Sequence, residues 1–225
     1  MLRKMVQAHM GSCVMVATAG EPNFKLLGSG FICSSKGYFL TSAHLLDLTK
    51  PVFIALPPDS QAFPKMHGNK FQFIPAQIVQ YDPVNDVALL RVNSAEITIA
   101  YPTPSLVLGD ERSVDIGSSV GYLGFPFGLN IPKVSQSVIS AKISNESGTR
   151  NLMLDTSIND KNSGGPLIDV ESGRVIGIVS GRFSPGGTQT VAWIAGQPMG
   201  QDSNISFATG ISYAIELLKA ENVYE

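Results

Sequence analysis

The sequence predicts an all-β protein whose short strands fall into two groups of six, and three observations lead there. Twenty-two Gly and fourteen Pro are scattered between short apolar runs instead of gathering in one tract, which is the composition of many tight turns. Six such runs precede a Pro-broken stretch at 101–105 and six follow it. A chain of 225 residues, 44% hydrophobic and 15% charged, is long enough for one large globular unit or two small ones with real cores.

In the first half the runs lie at 13–17, 30–33, 38–41, 52–56, 71–81 and 87–92, separated by Gly, Pro, Asn and Asp, and together they suffice for a first barrel. The stretch 101–105 reads as a linker and divides the chain into 1–104 and 105–225. The second series lies at 119–125, 134–143, 152–155, 166–170, 175–180 and 205–208. The segment 212–221 then sets Ala214, Ile215 and Leu218 at helical spacing, so it is expected to be the one helix, packed on the second barrel. Two irregular insertions, 57–70 and 183–204, are long for a compact domain, and loops of that length are usually functional or mobile.

Composition narrows the function classes. Sixteen Lys and Arg against eighteen Asp and Glu leave a net charge of −2, and no basic stripe forms, so nucleic acid is not an expected partner. No apolar run reaches the roughly 18 to 20 residues of a membrane-spanning helix. The first twenty residues hold two basic side chains but no continuous apolar segment ahead of a small-residue cleavage site, a poor secretory signal. The expected compartment is the cytoplasm if Met1 is the native start and the exported space if a leader has been removed. Two cysteines, Cys13 and Cys33, are too few for a disulfide scaffold and read as buried free thiols. His9 and His67 lack chemical company and read as surface residues.

The hexapeptide NSGGPL at 162–167 places Ser163 ahead of two glycines, the setting an exposed nucleophile needs. Upstream, His44 closes GSGFICSSKGYFLTSAH and Asp86 lies in YDPVNDVALLRV. Taken singly each is weak: a histidine is more often a surface or satisfied core residue, an aspartate after DP can close a turn, and Ser-Gly-Gly is a generic loop. In the order His, Asp, Ser, these three segments resemble the trypsin-like serine peptidases, and the HtrA/Deg branch more than the digestive or clotting branch. LGDERSVDIGSSVGYLGFPFGL at 108–129 is similar to the segment that opens the second barrel in that branch, and DTSINDKNSGGPLI to the segment carrying its nucleophile.

The resemblance implies two six-stranded antiparallel barrels packed face to face, chymotrypsin-like, and roles for the three residues. Ser163 attacks the scissile carbonyl, His44 takes and returns the proton, and Asp86 orients His44 and stabilises its charged form. Gly164 and Gly165 leave room beside the nucleophile, and the backbone N–H groups of Lys161 and Ser163 form the oxyanion hole. Ser157 and Ile158 fall at the base of the primary pocket. With no acid there, a small or medium apolar residue before the cut is expected. Ser180 and Gly181 match the edge that pairs with extended substrate, with Arg182 and the loop containing Trp193 bordering the pocket, while Trp193 reads equally well as a buried anchor of its own loop. Neither a metal nor a cofactor is implied, the expected partner is a polypeptide substrate, and homo-oligomerisation stays open.

Departures from the pattern also carry expectations. Leu45 replaces the disulfide-bonded Cys of animal enzymes, and Asn162 replaces the Asp that pairs with a newly cut N-terminus, so activation by propeptide cleavage is not supported. The chain closes at Glu225 without room for a peptide-binding PDZ module, and the loop 144–150 is short, so a stand-alone peptidase is expected. Lys161 stands where the family has Gly. If positive φ is required there, its side chain costs about 1–2 kcal/mol, and the resting loop is expected to collapse with its peptide turned away. Two other readings stay open at this point: a weak or inactive binding module on the same fold, motivated by Lys161, and an esterase-like hydrolase of small acyl substrates.

Overall fold

The computed structural model describes residues 1–20, 24–56, 71–93, 107–129, 131–182, 192–194, 197–199 and 204–224. The stretch 101–105, the boundary at 104/105, the insertion 57–70 and His67 all lie outside them.

Among the described residues, twelve strands close two antiparallel barrels. The first holds β1 (Cys13–Ala19), β2 (Phe24–Ser34), β3 (Tyr38–Thr41), β4 (Val52–Ala55), β5 (Phe73–Asp82) and β6 (Val87–Arg91), in the order β1-β2-β3-β6-β5-β4. The second holds β7 (Ser119–Gly124), β8 (Lys133–Ser144), β9 (Arg150–Asp155), β10 (Pro166–Asp169), β11 (Val175–Arg182) and, after two short strands, β14 (Ile205–Gly210), in the order β10-β11-β14-β9-β8-β7. Those two, β12 (Ala192–Ile194) and β13 (Gln197–Met199), pair with each other inside the insertion that read as irregular.

The strands facing the other barrel are apolar on both sides because both sides are buried. Val14, Val16, Ile32, Phe39, Ala88 and Leu90 fill the first barrel. Their neighbours Cys13, Met15, Phe31, Cys33, Leu40, Val87 and Leu89 point the other way, into a core shared with Leu123, Phe125, Ile168, Val175 and Ile178 of the second barrel. Alternation along a strand therefore separates barrel interior from barrel interface rather than core from solvent. Both cysteines are free and buried, Cys33 donating to the Tyr38 carbonyl at 3.3 Å, and burial pushes both thiols well above their ordinary pKa.

Among the described residues, two helices cross between the halves. Helix α1 (Leu2–His9) was not expected from the sequence, although Leu2, Met5, Val6 and His9 stand at amphipathic spacing. His9 is the buried polar member of that face. It is 2% exposed, against the surface reading; its Nε2 lies 2.8 Å from the Gly173 carbonyl oxygen, and burial lowers its pKa. Met5 packs where a Cβ on Gly121 of β7 would lie, so the N-terminal helix sits on the second barrel.

Helix α2 (Ser212–Ala220) forms as expected but reaches across to β6 of the first barrel, a correction to its expected place on the second. Ala214 and Leu218 enter the shared core beside Val87 and Leu89, and Gln80 Nε2 donates to Glu221 Oε1 at 2.6 Å. Its first turn is anchored by Glu111, 1% exposed. The Glu111 carboxylate accepts from the Ser212 N–H (3.1 Å), the Ser212 hydroxyl (2.7 Å) and Arg150 Nε (2.8 Å). Burial alone would raise the Glu111 pKa, but the bonds from Ser212 and Arg150 outweigh it and hold the carboxyl below its ordinary value.

A carboxyl whose folded pKa is depressed contributes stability that is complete above its unfolded value, about 4.3, and is lost as pH falls through the folded value. Glu111→Gln should therefore lower the unfolding free energy by about 1–3 kcal/mol at pH 7, with the gap closing below about pH 4. Urea titrations at the two pH values measure this, and an equal gap at both would rule the ionised carboxylate out as the cause.

Candidate active site

Register brings the first two site residues together. β3 ends at Thr41, opposite Ala88 of β6, so the turn leaving β3 and the turn entering β6 lie side by side. His44 sits in the 3-10 turn Ala43–Leu45, and Asp86 enters β6 in the left-handed region, φ 55°. The preceding turn is braced by Asp82 Oδ1, which accepts from the Val84 and Asn85 N–H groups at 3.0 Å each. Asp86 takes both the backbone N–H of His44 (2.9 Å) and its ring Nδ1 (2.8 and 2.9 Å to the two oxygens). The carboxylate thus fixes the imidazole's backbone and its ring together, leaving Nε2 on the side away from it.

Ser163 arrives from the second barrel on the connection between β9 and β10. Its Oγ donates to the Ser180 carbonyl at 2.8 Å, and no hydrogen bond joins it to His44 among the described contacts. The two loops are nonetheless locked to one atom: the Val179 carbonyl accepts from the Gly164 N–H at 2.7 Å and from the Ser42 hydroxyl at 3.2 Å. A Cβ on Gly181 would lie 3.7 Å from Ser163 Oγ, so Ser180 and Gly181 flank the nucleophile candidate. β10 begins at Pro166, opposite Ile178, so among the described residues the 180–182 segment is paired by β14 on one side only. Arg182 ends β11, but its side chain and that of Trp193 are outside the described set. Ser157 is half-buried, whereas Ile158 is 3% exposed and turned into the second-barrel core, its N–H donating to Ser206 Oγ at 3.0 Å.

Lys161 has φ 74°. The Asp160 carbonyl before it accepts from the Phe127 N–H at 2.9 Å, and its own carbonyl accepts from Ser29 Oγ at 2.6 Å. In a trans peptide the N–H lies opposite the C=O, so the Lys161 N–H points away from Phe127. Among the described residues, neither the Lys161 nor the Ser163 N–H donates to a protein acceptor. Where a collapsed loop was expected, the lysine occupies the left-handed region and both flanking carbonyls are engaged. No cluster of three or more His, Cys, Asp or Glu fit for a metal occurs among the described residues.

Sequence reasoning missed Ser29 and Thr41. Ser29, fully buried, donates its N–H to the Ser163 carbonyl at 2.8 Å, and its own carbonyl accepts from Thr41 Oγ1 at 2.7 Å. The available signal was Gly28-Ser29-Gly30 inside a strand, since glycines there often mark a close backbone approach. A Cβ on Gly28 would come within 2.8 Å of the Ser163 carbonyl oxygen, and within 2.6 Å of Leu45.

The trypsin-like peptidase domain family matches residues 28–178. A relative described as a probable periplasmic serine endoprotease, DegP-like, from Pseudomonas putida is 34% identical over 164 residues, covering 72% of this chain and 30% of its own length. The magnetosome formation protease MamE of Paramagnetospirillum magneticum is 31% identical over 166 residues, 72% of this chain and 21% of its own. The chain therefore spans under a third of these relatives. Among solved structures, the HtrA-type protease AlgW with a tripeptide superposes with a TM-score of 0.70 at 26% identity, covering 98% of this chain and 63% of that one. A serine endoprotease from Yersinia pestis gives 0.70 at 24%, over 98% of this chain and 66% of its own, a likeness of fold.

Gly164 and Gly173 share a positive φ, 89° and 70°, but differ in surroundings. A Cβ on Gly164 would strike the Ser29 carbonyl and the Thr41 hydroxyl, whereas one on Gly173 meets nothing within 4 Å. Gly164→Ala should cost about 1–3 kcal/mol more than Gly173→Ala, the overpacking cost with backbone strain cancelled. Denaturant midpoints of the two variants test it; equal losses would show that the close approach at Gly164 relaxes freely.

Proposed function

This chain belongs to the trypsin-like peptidase family, with HtrA-type relatives, and from that premise we propose that it is a serine endopeptidase that cleaves extended or unfolded polypeptide through His44, Asp86 and Ser163. The observation that carries the reading is the double hold of Asp86 on His44, through the ring Nδ1 and the backbone N–H. A carboxylate at Nδ1 selects the tautomer whose Nε2 can accept a proton, and it stabilises the imidazolium that follows.

In the proposed cycle Ser163 Oγ turns from the Ser180 carbonyl to His44 Nε2, gives up its proton there and attacks the substrate carbonyl. The carbonyl oxygen, now negative, is met by the Lys161 and Ser163 N–H groups, which have no acceptor to leave among the described residues. Such preset donors lower the barrier because they need no reorganisation when the charge develops. His44 passes its proton to the departing amine, and water then releases the acyl group by the same steps in reverse.

Substrate recognition follows from the side of 180–182 that no described residue pairs. An extended peptide can add there as a strand, bonding through its backbone with little regard to sequence. Ser157 brings no charge to the primary pocket, which suits Val, Ala, Ile, Leu or Met before the cut better than Arg or Lys.

A fluorophosphonate probe should label the unaltered chain and fail on Ser163→Ala. Ser163→Ala and His44→Ala should each lose turnover of a denatured polypeptide by about 10⁶-fold, the scale on which a triad acts as a unit. Unchanged labelling of the Ser163→Ala variant would remove Ser163 as the nucleophile.

A further inference from the structure

We propose that Ser29, on β2 of the first barrel, is a positioning residue that holds the turn Lys161–Ser163 of the second barrel in its oxyanion-binding shape. The proposal rests on the reading of Ser163 as nucleophile and adds a residue that reading does not use.

Every polar capacity of Ser29 that the structure shows is committed. Its hydroxyl donates to the Lys161 carbonyl at 2.6 Å and accepts from the Phe125 N–H at 3.0 Å. Its N–H donates to the Ser163 carbonyl at 2.8 Å, and its carbonyl receives the Thr41 hydroxyl at 2.7 Å. Three of these four partners belong to the second barrel, and two are the residues whose N–H groups are proposed to meet the oxyanion. The site is dry, since Ser29 is 0% exposed, so no water replaces a lost partner.

The conformation being held is one a lysine resists. At φ 74°, Lys161 is in a region that an L-residue disfavours by roughly tenfold. Returning it to negative φ would rotate the peptides on both sides and carry its N–H off the oxyanion position. The bond from Ser29 Oγ to the Lys161 carbonyl opposes that rotation directly, and the bond from Ser29 N–H to the Ser163 carbonyl fixes the far end of the same turn. A glycine at 161 would pay no such penalty, so the need for Ser29 depends on the lysine. That dependence separates a positioning role from ordinary cement between barrels.

The test is a double-mutant cycle on the full chain: the unaltered protein, Ser29→Ala, Lys161→Gly and the double variant. Each is measured for kcat and KM on a peptide substrate, for affinity toward a peptidyl boronate, which forms a tetrahedral adduct on the serine, and for melting temperature. Ser29→Ala should lower kcat and boronate affinity together by about 10- to 100-fold with KM within about threefold, as expected when an oxyanion donor is displaced. In the Lys161→Gly background the same substitution should cost less than about threefold. Ser29→Cys, which keeps the shape and weakens the donor, should fall between Ser29 and Ser29→Ala, and stands in should the alanine variant not fold. An equal cost of Ser29→Ala in both backgrounds, or a change confined to KM or to melting temperature, overturns the proposal. If the unaltered chain binds neither the boronate nor a fluorophosphonate, the nucleophile reading fails first and takes this one with it.

Discussion

The hydrogen bond from the N–H of the fully buried Ser29 to the Ser163 carbonyl, 2.8 Å long, is the contact on which the rest of the site depends. His44 and Asp86 come from one barrel and Ser163 from the other, so the accuracy of any chemistry between them is the accuracy with which the barrels dock. Beside the site the seam is built of short, directional, neutral bonds: Ser29 to Ser163 and Lys161, Phe125 to Ser29, and Ser42 to Val179. Neutral buried bonds are almost indifferent to ionic strength, unlike surface ion pairs. Gly28 and Gly164 matter here for what they lack, since a side chain at either would hold the two backbones apart.

Much of this was legible in the sequence because strands buried on both faces read as continuous apolar runs. The run at 87–92 became β6 (Val87–Arg91), with Val87 through Leu90 fully buried, and the run at 38–41 became β3 (Tyr38–Thr41). β2 was less visible. It starts at Phe24, six residues before its expected start, because Gly28 and Ser29 interrupt the apolar pattern for a packing reason that periodicity cannot express. Helix α1 was hidden by its brevity and by His9, a polar residue doing an apolar residue's job while its ring bonds to the Gly173 carbonyl.

The candidate site divides along the same line. Contact between His44 and Asp86 was readable because each sits at the end of a recognisable strand. Ser29 was not, since a serine between glycines has the composition of a turn and its value lies entirely in what the other barrel places opposite it. The location of α2 failed for a related reason: an amphipathic face says that a helix packs, while its partner is decided by distant residues such as Gln80 and Glu111.

The two helices also set the order of events for a chain that grows from its N-terminus. His9 meets Gly173 across 164 positions and Gln80 meets Glu221 across 141. The first barrel is therefore synthesised long before the helix that covers β6, and α1 emerges long before the barrel it rests on. Contacts of such sequence separation are slow to form. During that interval Val87 and Leu89 face solvent or a substitute partner, so the nascent protein passes through a stage whose apolar surface is that of an incomplete interface, closed only when residues 212–220 arrive.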